Sequence, residues 1–155
     1  MAWTSPRTYV AGEVITASIL NTDHRDNLKA IGDPWTAYTP TWTGTGFAIG
    51  NGTITGAWLS AGKLTLFRFI ATIGTTTTVG TGAYSIGLPS TAITTNIPVG
   101  DLTVFNGSAR QRNMYANTTT TAAAQDESGA FVTGAAPFAL VSTNTLKGVG
   151  FYEAA

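Results

Sequence analysis

Few residues in this chain can do acid–base, nucleophilic or metal chemistry, and their spacing narrows what that chemistry could be. There is no cysteine and His24 is the one histidine, which excludes thiolate and His-rich metal sites and leaves any Ser-His-Asp arrangement a single base. His24 sits between Asp23 and Arg25 in a stretch compatible with helix, which favours a packing or surface role. No Asp or Glu occurs between Pro34 and Gly100, and beyond that gap stand only Asp101, Asp126, Glu127 and Glu153. Glycoside hydrolysis needs two carboxylates facing each other across a cleft, whereas the adjacent pair Asp126–Glu127 falls in a turn-prone loop. The loop Gln125–Ser128 carries two carboxylates, short of the roughly six oxygens of a calcium cage. The run from Gly56 to Lys63 resembles a phosphate loop, but one residue too many separates its glycines and Leu64 stands where Ser or Thr is required. The expectation is a non-enzymatic protein with no catalytic or metal-binding residue and no cofactor.

Aromatic side chains are the other groups able to engage a ligand. Trp35, Tyr38, Trp42, Phe47 and Trp58 cluster in the first half of the chain; exposed on a sheet they would stack on sugar rings, and buried they would fill a small core. Trp35, Trp42 and Trp58 are therefore the candidate glycan contacts. Strand alternation places Tyr38, Pro40 and Trp42 on one side, which suits either reading.

The elements that would position these groups fall into two parts. Residues 1–33 carry seven of the sixteen formally charged residues. They read as an extended arm, with turn-prone points at Ser5-Pro6 and Ala11-Gly12, followed by one short helix. Thr16 is placed to N-cap that helix, Gly32 to close it in a left-handed conformation and Pro34 to stop it. Leu20, His24, Asn27, Leu28 and Ile31 share one side at three- and four-residue spacing. Such a thin apolar stripe on a short helix does not offset the cost of nucleation in water, so the segment requires a partner surface and reads as an anchor.

Residues 34–37 read as a linker and 38–155 as a domain of short strands between glycine-rich turns: Tyr38–Thr43, Ile54–Leu59, Lys63–Ile73, Ala83–Leu88, Val99–Phe105, Arg110–Asn117, Ala130–Thr133, Ala139–Ser142 and Lys147–Glu153. Asn51-Gly52, Asn106-Gly107 and Ser128-Gly129 are turn dipeptides. The fold class is mainly β, an antiparallel β-sandwich of jelly-roll-like form. The Thr75–Thr78 and Thr118–Thr121 runs, the second leading into Ala122–Ala124, read as exposed edge or loop. In Lys63–Ile73, alternation sets Thr65, Phe67, Phe69, Ala71 and Ile73 on one face and Leu64, Leu66, Arg68 and Ile70 on the other. Both faces are substantially apolar, so the second must be covered, either by the rest of the monomer or by another subunit. Leu64, Leu66 and Ile70 are the candidate subunit-interface residues.

Composition narrows the function classes further. A chain of 155 residues with 43% apolar content can build one ordinary core plus an appendage. Its formal net charge is zero and only 10% of residues are charged, against roughly a quarter in a typical soluble domain. Clustered Lys and Arg are missing, so neither nucleic acid nor a membrane surface is an expected partner. No basic segment followed by an apolar run opens the chain, and no apolar stretch approaches membrane-spanning length. The expectation is a protein made in a cytoplasm that remains soluble.

The N-terminal residues WTSPRTYVAGEVITASILN and HRDNLKAI resemble the opening segment of small structural proteins of tailed bacteriophages, particularly those of actinobacterial hosts. The residues that carry this are Trp3, Pro6, Arg7, Thr8, Tyr9, Gly12, Glu13, Thr16, Ala17, Leu20, Asn21, Arg25, Asp26, Asn27 and Leu28. Tyr38–Thr43, Ile49–Gly56, Gly62-Lys63 and the terminal Tyr152–Ala155 are similar too, while Leu102–Ala124 matches no part of the pattern. The resemblance implies a virion component without catalytic residues, built as an attachment segment plus a β domain and commonly multimeric. Trp3, Pro6, Arg7, Tyr9, Leu20, Arg25 and Leu28 are the implied virion-attachment residues. The implied partners are other virion proteins: the major capsid protein for a capsid decoration or head-fibre protein, or tail proteins for a minor tail or tail-fibre protein. The absence of a long shaft favours the capsid role, as a homotrimer at a symmetric site.

Overall fold

The computed structural model describes residues 4, 5 and 7–155. The chain is mainly β, with 42% of residues in strands and 11% in helix. An α-helical turn, α1 (Ala17–Leu20), runs through a π-helical turn (Asn21–Arg25) into α2 (Asp26–Gly32). Thr16 is extended and its hydroxyl accepts from the Ile19 N–H at 3.3 Å, as expected of an N-cap. The C-terminal expectation is corrected. Gly32 belongs to the helix and is not left-handed; Asp33 turns out extended (φ −67°, ψ 149°), because Pro34 excludes the helical region for the residue before it.

Eleven strands follow: β1 (Thr36–Tyr38), β2 (Trp42–Thr43), β3 (Phe47–Ala48), β4 (Thr53–Ala61), β5 (Leu64–Thr72), β6 (Thr78–Val79), β7 (Ser85–Gly87), β8 (Pro98–Phe105), β9 (Ala109–Ala116), β10 (Thr121–Gln125) and β11 (Thr145–Glu153). Nine of them form one antiparallel sheet in the order β1-β4-β5-β11-β8-β9-β10-β7-β2, while β3 and β6 make a separate ribbon. The sheet is curled, giving a sandwich-like body around one core. Its two edge strands, β1 and β2, are separated in sequence only by Thr39–Thr41. The Gly87 N–H donates to the Thr41 carbonyl at 2.8 Å at the closing edge.

Four details differ from the sequence reading. The stretch 34–37 is not a free linker, since Thr36 and Ala37 already pair with Trp58 and Ala57 of β4. Tyr38–Thr43 is two strands at opposite ends of the sheet, broken where Pro40 supplies no N–H. Ala122–Ala124 is an interior strand, buried between β9 and β7: side chains this small admit close neighbours, and that packing overrides the low strand propensity of alanine. Ala130–Thr133 and Ala139–Ser142 form no strands. The first keeps a single bridge from Phe131 to Gln125, and the Thr133 hydroxyl turns the chain by accepting from Ala135 and Ala136 N–H groups.

The core gathers Phe67, Phe69, Ala71, Val99, Leu102, Val104, Met114, Leu146 and Tyr152 with Trp42, Tyr84 and Ile86, and contains none of the described residues before Trp42. The pairing of β11 with β5 and β8 depends on close backbone approach. A Cβ at Gly148 would meet the Phe69 ring, and one at Gly150 the backbone of Val99 and Gly100. Tyr152 binds the Ser90 segment through its hydroxyl, donating to the Ser90 carbonyl at 2.7 Å and accepting from its N–H at 3.0 Å. This fastens the loop before β8 to the last strand.

Candidate functional site

Two exposed surfaces collect most of the residues singled out by the sequence. In the N-terminal segment the helix turns its polar side inward. Asn27, only 6% exposed, accepts from the Thr4 N–H and donates to the Thr4 carbonyl, each at 2.9 Å, and also donates to the Asp23 carbonyl at 3.1 Å. The arm is thus clamped to the helix by a side-chain amide acting as a backbone mimic. Ala30 is also buried, and α2 touches the β domain at β4. Tyr9 lies parallel to the His24 ring, its hydroxyl 3.0 Å from Asp23 Oδ2 and 3.2 Å from His24 Nε2. Arg7 lies over the Tyr9 ring and pairs with Glu13.

The apolar stripe therefore faces away from the chain. Leu20, Leu28 and Ile31 are exposed, Leu28 to 70%, and Val10, Val14 and Ile15 of the arm join them. Of the implied attachment residues, Arg7, Tyr9, Leu20, Arg25 and Leu28 all lie on the surface of this segment, and Trp3 and Pro6 lie outside the described residues. Sequence reasoning missed Val10, Val14 and Ile15, because an arm without helical periodicity gives no face to read.

The second surface is the outer face of β4, β5 and β11. Thr65, Phe67, Phe69 and Ala71 point into the core as alternation requires, and Leu64, Leu66 and Ile70 point out. Much of that face is open to solvent: Leu64 and Ile70 are exposed, as are Val149 and Phe151 of β11, the last to 65%. Register sets Leu59, Leu66 and Phe151 in one cross-strand row, and Val149 beside Arg68. Val149 and Phe151 were not singled out from sequence, since their proximity to β5 comes from a pairing some eighty residues apart along the chain. Cations border the patch: Arg68 lies 5.2 Å from the Trp35 ring centre and Lys147 lies 5.9 Å from that of Phe105.

The three tryptophans do not form one platform. Trp42 is 7% exposed and wedged between Phe47 and Tyr84, with ring centres 4.4 and 5.3 Å away, so it is a core residue. Trp58 packs partly buried against that core, and only Trp35 is exposed. Because Trp58 and Trp42 lie on inward-facing strand positions, the solvent side of the sheet is left without them.

The carboxylates are similarly dispersed. Glu153 faces Lys63 at 3.4 Å, and Asp101 stands on β8 opposite Asn113. Asp126 Oδ1 accepts from the Ser128 hydroxyl at 2.7 Å and from the Ser128 and Ala130 N–H groups at 2.9 and 3.0 Å. These bonds, that of the Ser128 hydroxyl foremost, hold its pKa below the ordinary carboxylate value. Asp126 thus organises the turn into Gly129. Among the described residues no group of three or more His, Cys, Asp or Glu side chains is gathered to hold a metal ion, and no helix is long and apolar enough to cross a membrane. Comparison with protein-family models, curated proteins and solved structures finds no match to this chain.

Proposed function

We propose that this protein is a non-enzymatic structural component of a tailed-phage virion, which docks through residues 1–33 and displays its β domain on the particle as a capsid decoration or head-fibre protein. The observation that carries the reading is the outward apolar side of the N-terminal segment. Val10, Val14, Ile15, Leu20, Leu28 and Ile31 stay exposed while Asn27 and Ala30 occupy the buried side, an inversion that disfavours the isolated chain unless another surface covers the stripe. The sequence resemblance of this same segment to phage structural proteins supports a virion partner, the major capsid protein foremost. The largely open outer face with Leu64, Leu66, Ile70, Val149 and Phe151 supports self-association, with a homotrimer at a symmetric site as the favoured assembly.

Deleting residues 1–33 tests the docking role, because the core contains none of the described residues before Trp42. The truncated protein is expected to keep its far-ultraviolet β signature and cooperative melting but to be missing from purified particles. Normal incorporation of the truncated chain would overturn the assignment of attachment to this segment. Imaging of particles carrying a label on the full chain then separates head from tail placement, a tail position favouring a minor tail or tail-fibre role.

A further inference from the structure

A third surface lies over β8, β9 and β10, continuing across the sheet from the outer face of β11, and much of it falls within Leu102–Ala124, which the phage resemblance does not cover. Antiparallel register sets Asp101, Asn113 and Gln125 in one row across the three strands, and Gln111 follows two residues before Asn113 on the same face. Gln111, Arg112, Asn113, Gln125, Asp126 and Glu127 line an open cleft of about 490 Å³. The carboxamides of Gln111, Asn113 and Gln125 make no hydrogen bond within the described chain. The charged groups beside them are largely committed. Arg112 Nη2 lies 3.8 Å from Asp126 Oδ2, and Asp126 Oδ1 holds the loop.

Next to the amides lies an apolar shelf. Tyr115, two residues beyond Asn113 on the same side of β9, has its ring centre 6.5 Å from that of Phe131, which is 39% exposed. Ala123 of β10 stands opposite Tyr115, and Phe131 is bridged to Gln125 two residues on. Amide side chains offer a donor and an acceptor each, which matches the dual character of a sugar hydroxyl, and aromatic faces match the apolar face of a pyranose ring. With Arg112 facing Asp126, and Lys147 of β11 set diagonally to Asp101 of β8 while Glu127 adds a further carboxylate, no uncompensated cation is left beside the amides, so phosphate, sulfate and uronic acids find no charge partner there.

We infer that the cleft of Gln111, Asn113 and Gln125, with the Tyr115–Phe131 shelf, is a binding site for a neutral oligosaccharide. The site is shallow and open, so affinity lies in the millimolar range. It replaces the dispersed tryptophans as the glycan-contacting surface, and it stands whether or not residues 1–33 dock on a virion.

The test is a nuclear magnetic resonance titration of the isotopically labelled full chain with maltohexaose, cellohexaose, chitohexaose, mannohexaose and, as an anionic comparison, galacturonan hexamer. At least one neutral hexasaccharide is expected to shift the side-chain amide signals of Asn113 and Gln125 in a saturable way, and the galacturonan is expected not to. The double variant Asn113→Ala/Gln125→Ala should weaken that binding roughly tenfold, with Gln111→Ala as a milder second variant and an unchanged melting temperature showing that the fold survives. The inference is overturned if no neutral member shifts these signals up to about 10 mM, if galacturonan binds equally well, or if the double variant binds as the parent does.

Discussion

The N-terminal segment and the β domain distribute the same kinds of residues in opposite ways. In the β domain Phe67, Met114, Val104 and Leu146 are fully enclosed and polar side chains lie outside, Thr65 and Asn144 excepted. In the segment the enclosed positions belong to Asn27 and the small Ala30, while Leu28 and Ile31 face solvent. A body held by burial is insensitive to what surrounds it, because each enclosed large side chain contributes about 1.5–3 kcal/mol on its own account. One held by a side-chain amide clamp and a few ion pairs draws little from its apolar residues, which stay exposed. Exposed apolar groups in a segment this short therefore bear on the proposed docking more than on folding.

Core truncation should give the largest effect and mark one side of that contrast. Phe67→Ala, at a position with no exposure in contact with Phe69 and Tyr152, is expected to lower stability by about 3–5 kcal/mol in urea unfolding. A loss under about 1 kcal/mol would show that the domain is not held by this core. Alkali provides the next effect. Burial pushes the Tyr84 phenol up to about 12, and Tyr38 and Tyr152 shift in the same direction for the same reason. A raised folded-state pKa means that the stabilisation is complete below the unfolded value of about 10 and is lost as pH climbs towards 12. The melting temperature should therefore fall between about pH 10 and pH 12, and Tyr84→Phe should reduce that slope without abolishing it. The same replacement removes the 2.7 Å bond to the Val79 carbonyl, so it also lowers stability at neutral pH by about 1 kcal/mol.

Smaller effects belong to the segment. Asn27→Ala removes both bonds to Thr4 and should loosen the arm by about 1–2 kcal/mol, seen as faster amide exchange before Thr16 with β-domain protection unchanged. If exchange in the β strands rises equally, the two regions are not energetically separate. The variant Leu20→Ser/Leu28→Ser/Ile31→Ser should change the stability of the isolated chain by less than about 0.5 kcal/mol, yet reduce its incorporation into particles. A marked drop in melting temperature would instead mean that the stripe already supports the fold.

Part of this was legible in the sequence. Thr16 and Pro34 bound the helix because capping and the restriction before proline act within a few residues. The alternation of Thr65, Phe67, Phe69 and Ala71 identified an inward face for the same local reason. What escaped was decided at a distance. Ala122–Ala124 carries almost no strand signal, and only its neighbours β7 and β9 make it a strand. The amide row of Asn113 and Gln125 exists because of register, as does the approach of Phe151 to Leu66.

The sequence by itself determined a mainly β, antiparallel chain with one short helix at its start, whose apolar stripe is too thin to hold it alone. Only the tertiary structure decided that the stripe of Leu20, Leu28 and Ile31 turns outward, that Trp42 is enclosed, and that Gln111, Asn113 and Gln125 meet in one cleft. Periodicity reports which residues share a side of an element; which side is buried depends on the elements that come to lie against it, and those pairings join residues far apart along the chain.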